Sequence, residues 1–153
     1  MTHYQQRLVI EAEPAVVYAA LTTTHGLRGW WSEDCHADSR VGGLLNFGFG
    51  ACSKQMRVER LVATQEVAWL CTRAHIDAAG VTRPDEWVGT EMVFRLAPDG
   101  EGRTVLQFEH LGLVPDLQCW AVCNQGWNYF LPSLKQFAET GRGTPFALEA
   151  QAA

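Results

Sequence analysis

The sequence predicts an α+β domain in which a curved antiparallel sheet wraps a long C-terminal helix. Three observations predict it. Between positions 45 and 110, apolar residues alternate with polar or small ones in segment after segment, which is the period of strands buried on one face. Short turn sequences such as Pro98-Asp99-Gly100 join these segments and suit antiparallel neighbours. After position 116 the period changes, and Trp120, Cys123, Trp127, Phe130, Leu131, Leu134 and Ala138 form one helical stripe at three-four spacing.

Tyr4 to Glu11 reads as the first strand, with Leu8 and Ile10 on one face. Pro14 suits the first turn of a helix, and Val16, Val17, Ala20 and Leu21 continue it. Thr22 to Gly26 ends that helix, and Leu27 to Trp31 forms a second short helical turn. The polar stretch Ser32 to Arg40 reads as a loop. Five strands follow, marked by Leu45/Phe47/Phe49, Met56/Val58, Val67/Trp69/Cys71, Thr90/Met92/Phe94/Leu96 and Thr104/Leu106/Phe108/His110. The sheet is therefore expected to have six strands. Asp116 as N-cap and Gly141 as the residue after the last turn bound a helix over Leu117–Thr140. Pro132 inside it removes one N–H and opposes the Asn128 carbonyl, which predicts a kink. The tail after Gly143 reads as loose, so residues 1–153 form one domain with an ordered core of about 4–143.

Composition excludes several function classes. The net charge of −5, with no Lys/Arg cluster, argues against a nucleic-acid partner. No apolar run approaches the ~20 residues that span a bilayer, so no membrane insertion is expected. Met1 to Arg7 is polar and unlike a signal peptide, which places the protein in the cytoplasm. The five cysteines are odd in number and match no zinc spacing. Cys119 and Cys123 lie four apart on the helix and read as small buried hydrophobes. Cys35 and His36, with Asp34 and Asp38 near, read as a solvated loop. Neither a metal nor a cofactor is expected. The glycine-rich run from Gly42 to Gly50 lacks the Gly-Lys-Ser/Thr ending of a phosphate loop.

The candidate site follows from the alternation. Phe47, Phe49, Trp69, Phe94 and Phe108 face inward from the sheet, and Trp127, Phe130, Leu131 and Leu134 face them from the helix. Trp30 and Trp31 close one end. These rings either line a cavity for a small apolar ligand or pack a solid core, and both readings stand on residue pattern alone. His110 shares the inward parity and is expected to orient a polar ligand group or to bond a local polar group. As a general base it needs a second polar group to orient it. No such group emerges from the pattern, so no catalytic constellation is assigned. Glu91 has the opposite parity and reads as a solvated carboxylate.

Ile10-Glu11-Ala12-Glu13-Pro14 through Thr22, followed by Gly29-Trp30-Trp31, is similar to the opening of the Hsp90-ATPase-activator-homologue-like family of the START-like, helix-grip superfamily. Trp87-Val88-Gly89-Thr90-Glu91, Phe108-Glu109-His110-Leu111-Gly112-Leu113 and Gly126-Trp127, with Leu134 and Gly141, resemble its later landmarks. The resemblance runs from Leu8 to about Gly143. It implies a helix-grip domain with a cavity between sheet and helix, in a superfamily of lipid and hormone binders, polyketide cyclases and chaperone-associated domains. The first expectation is binding of a small, mostly apolar molecule. The second is a chaperone-linked or other protein-interaction module, with a stress-response role and a homodimer among its outcomes. The third is a cyclase- or hydrolase-type enzyme acting on a hydrophobic substrate through His110.

Overall fold

The computed structural model describes residues 2–147. Its elements run β1 (Tyr4–Ile10), α1 (Pro14–Thr22), α2 (Thr24–Trp30), β2 (Cys35–Ala37), β3 (Leu44–Phe49), β4 (Cys52–Val62), β5 (Glu66–His75), β6 (Glu91–Pro98), β7 (Thr104–Leu111) and α3 (Trp120–Thr140). One antiparallel sheet of order β1-β7-β6-β5-β4-β3-β2 carries the fold. Among the described residues no helix is long and apolar enough to cross a membrane.

The sheet has seven strands, not six. The additional strand, β2, lies in the polar stretch read as a loop and pairs Cys35 with Phe47. Three residues are too few for an alternation to register, and its only fully buried side chain is Cys35. Strand β4 is irregular, and its register against β5 shifts twice, between Gln55 and Met56 and between Val58 and Arg60. Such irregularities bend a strand and increase its twist.

The two short helices adjoin more closely than their sequence suggests. Thr23 alone separates them and serves both. Its hydroxyl donates to the Ala19 carbonyl at 2.7 Å and accepts from the Gly26 N–H at 2.9 Å, ending α1 and capping α2. The crossing depends on Gly26, where an added Cβ would lie 2.6 Å from the Ala20 Cα. Gly26→Ala is therefore expected to cost about 1–3 kcal/mol by forcing the helices apart. At Gly126, where a Cβ meets nothing within 4 Å, alanine should stabilise α3 by up to about 1 kcal/mol. Urea unfolding of the two variants checks both signs.

Helix α3 begins at Trp120, three residues later than expected, and Asp116 is not its cap. Cys119 is the N-cap, and Glu86 from a distant loop holds the entry to the helix, accepting from the Gln118 and Cys119 N–H groups at 3.1 and 3.0 Å. The helix continues through Pro132 and ends at Gly141, which has φ of 85° and donates to the Phe137 carbonyl at 2.8 Å. The tail beyond Gly143 is docked as far as it is described. Phe146 donates to the Trp31 carbonyl and accepts from the Glu33 N–H, each at 2.9 Å.

The outer sheet face carries a ladder of charges. Arg60 bonds Glu66 and Glu91 at 2.9 and 3.1 Å, and Arg95 reaches Glu66 and Glu109 at 3.4 Å each. Glu91 is thus a surface partner of arginine, as its parity requires. The arginine stems share this face with Ala68 and Val93, both fully buried.

Candidate functional site: an aromatic core with a histidine relay and a caged lysine

Trp31, the residue that caps α2, sits at the centre of the ring cluster. It stacks on Trp30 at 5.5 Å, on Trp69 at 6.0 Å and on Trp127 at 5.1 Å, and meets Phe47 at 4.4 Å. Phe94 packs between Trp69 at 4.9 Å and Phe108 at 4.8 Å, and Phe108 reaches Trp127 at 4.5 Å. Two polar bonds fix the cluster at its α2 end. The Trp30 indole donates to the Ala20 carbonyl at 2.8 Å, and the Ser133 hydroxyl donates to the Trp30 carbonyl at 2.7 Å. Leu131 and Leu134 are fully buried on α3, whereas Phe49 and Phe130 are half-buried at the rim, 5.9 Å apart.

His110 points inward as its parity predicts, and it is fully buried. Its hydrogen bonds define one tautomer. The Trp127 indole can only donate, so Nδ1 accepts from it at 3.0 Å. Nε2 then carries the proton and donates to the Thr90 hydroxyl at 2.8 Å, and Thr90 in turn donates to the Trp87 carbonyl at 2.6 Å. Every member of this relay is satisfied. Burial, then the charges of Lys54 and His3, push the His110 pKa down to about 3. The ring is therefore neutral, and both nitrogens are occupied by structural partners, which leaves neither for a substrate proton. Thr90→Val removes the acceptor of the Nε2 proton and is expected to cost about 1–3 kcal/mol in chemical unfolding.

Pattern reading missed the polar part of the site. The ammonium of Lys54, on β4, lies 4.3 Å from the Phe49 ring, 4.4 Å from Trp87 and 5.6 Å from Trp31. This is a cation–π cage. Desolvation lowers the Lys54 pKa, and nearby cysteine sulfurs oppose that shift. The Trp87 indole donates to Cys123 Sγ at 3.1 Å. One helical turn away, Cys119 is the neighbour that lowers the Cys123 thiol pKa, helped by Lys54 and the Trp87 N–H, while Cys119 itself is pushed up. Two signals were present in the sequence. Alternation carried two residues back from Met56 puts Lys54 on the inward face, and Cys119 and Cys123 share the inward helix stripe.

The space left between sheet and helix is small. A cleft of about 30 Å³, room for a water or two, is lined by Trp31, Lys54, Trp87, Cys123, Gly126, Trp127 and Phe130. Of the residues expected to line a cavity, Trp31, Trp127 and Phe130 reach it. Trp30, Phe47, Phe49, Trp69, Phe94, Phe108, His110, Leu131 and Leu134 do not. They are spent on contacts with one another, because aromatic rings with freedom to stack fill the volume that pattern alone leaves open.

Residues 11–139 match the family described as Activator of Hsp90 ATPase homolog 1-like protein. The chain belongs to that family. The structure is similar to that of the Aha1 dimer from Colwellia psychrerythraea, with a TM-score of 0.77 and 33% identity over 94% of this chain and 100% of that one. It also resembles an HSP90 activator from Plasmodium falciparum, with a TM-score of 0.67 and 14% identity over 88% and 94% of the two chains. A third likeness is to CalU16 from Micromonospora echinospora, with a TM-score of 0.66 and 21% identity over 92% and 75%. The last two likenesses speak for the fold. No curated protein matches the chain.

Proposed function

We propose that this member of the family works as a protein-interaction module of the Hsp90-activator type. The observation that carries this reading is the filled centre of the domain. Sites for drug-sized molecules run to roughly 300–1,000 Å³, whereas the cleft between sheet and helix has about 30 Å³. An apolar hollow of about 410 Å³ lies outside the core, between α1, α2 and the end of α3, lined by Ala15, Val16, Ala19, Phe137 and Ala138. A protein named as an Aha1 dimer is 33% identical to this chain over nearly its whole length. The partner is an Hsp90-class chaperone. Calorimetric titration of the chain into the Hsp90 of its own host, with ATPase turnover followed in parallel, is expected to show saturable binding and altered turnover. Absence of both would remove this reading.

A second reading is favoured by one observation. Lys54 is a ring-caged cation at the cleft, and no carboxylate pairs with it among the described residues. A small, mostly apolar molecule with one anionic group would complete it, provided Trp31 and Phe130 swing aside. Quenching of tryptophan fluorescence by short-chain fatty acids should then saturate at one molecule per chain. It should disappear in Lys54→Met.

A further inference from the structure

We propose that Cys123 and Cys119 form a peroxide-reactive thiol pair, in which Cys123 is oxidised first and Cys119 resolves it as an intrahelical disulfide. The pair is separate from the partner-binding reading, and four observations place it. Cys123 is one of the residues lining the cleft, so its sulfur meets whatever enters. The cleft holds about 30 Å³, which admits a hydroperoxide as small as hydrogen peroxide and excludes bulky oxidants. One donor reaches that sulfur directly, the Trp87 N–H at 3.1 Å, and the Lys54 ammonium sits 4.4 Å over the ring of the same tryptophan. Glu86 is the opposing charge, and its carboxylate is held by the Gln118 and Cys119 backbone. Last, four residues of helix rise span ~6 Å, within the Cα separation that a disulfide accepts, and the Cβ atoms, ~5–6 Å apart at this spacing, must close to ~4 Å. Cys119 is the N-cap, so its backbone can make that shift without breaking the regular turns that follow.

The chemistry balances with hydrogen peroxide as oxidant. The Cys123 thiolate attacks one peroxide oxygen, the O–O bond breaks, and the departing hydroxide takes a proton to become water. Cys123 is left as a sulfenic acid. The Cys119 sulfur then attacks the Cys123 sulfur as its own proton leaves. An S–S bond forms, the S–O bond breaks, and a second water departs. Two thiols have lost two electrons, and one peroxide has gained them. Among the other cysteines, Cys35 and Cys71 are buried and raised to about 11, and neither lines the cleft. Cys52 is half-buried on β4 and is the competing target.

The test is one equivalent of hydrogen peroxide added to the reduced full chain without air, followed by alkylation and peptide mass spectrometry. The expected product joins Cys119 to Cys123 and has lost two hydrogens. Cys119→Ser should stop at the sulfenic acid, trapped at Cys123 by a cyclic 1,3-diketone. Cys123→Ala should leave Cys119 reduced, and Cys52→Ser should change nothing. Circular dichroism checks that each variant is folded, and the unmodified chain tests the claim even where a variant is not. Oxidation confined to Cys52, or Cys119 oxidised equally in Cys123→Ala, overturns the proposal.

Discussion

Trp127→Ala is expected to lower the unfolding free energy by about 3–5 kcal/mol from lost burial and cavity formation. The residue touches Trp31, Trp87 and Phe108 and also holds the His110 tautomer through its indole N–H. The alanine variant therefore leaves Nδ1 of a buried imidazole without a donor, which adds about 1–3 kcal/mol. A domain of this kind has ~5–15 kcal/mol in total, so the variant should sit near the edge of folding. Trp127→Phe separates the two contributions. It keeps most of the ring packing and loses the N–H, so only the cost of the unsatisfied nitrogen should remain. Urea unfolding followed by circular dichroism measures both. If Trp127→Phe proves as stable as the unsubstituted protein, the relay has no role in holding the core.

The second large effect is a loss of stability in mild acid, and its sign follows from His110. Burial, the largest cause, holds the folded pKa near 3, whereas an unfolded histidine titrates near 6.5. Above about pH 6.5 the ring is neutral in both states and contributes no slope. Below that, the unfolded chain takes a proton that the folded chain refuses. Stability should fall by about 1.4 kcal/mol per pH unit, down to the folded pKa. Carboxylates such as Glu59 and Glu139, whose pKa values are lowered by Arg57 and by hydrogen bonds from Glu11 and Lys135, add their losses lower in the range. The window from about pH 5 to 6.5 lies above those carboxylates, and Lys54, whose pKa burial also lowers, is the other base of this core, so the histidine's share is read from its variant. His110→Gln should keep the fold and remove that part of the slope. Urea midpoints at half-unit intervals decide it, and an unchanged slope in the variant would assign the effect to other groups.

The strands were legible where they were long enough to show alternation, as with Met92, Phe94 and Leu96 or Leu106, Phe108 and His110. Strand β2 was not, because three residues carry no period. The start of α3 was misplaced for a different reason. The residues leading into it, Gln118 and Cys119, are held by Glu86, more than thirty residues earlier, and the N-cap Cys119 makes no side-chain capping bond. The aromatic cluster was legible as a set of residues but not as a filled volume, because stacking geometry such as that of Trp31 on Trp69 depends on how helix and sheet meet. The same limit hid the partner of His110. Thr90 stood in the same alternating set, but its bond to Nε2 exists only across the β6–β7 pairing. Lys54 was available to a stricter use of parity, since a lysine on an apolar face marks a site or a conflict.

The central claim is that the space between sheet and helix is closed by the chain's own rings. Native mass spectrometry of the protein purified from its own host tests this most directly. The expected mass is that of the polypeptide alone, or of whole multiples of it. A small apolar molecule retained at one per chain would contradict it.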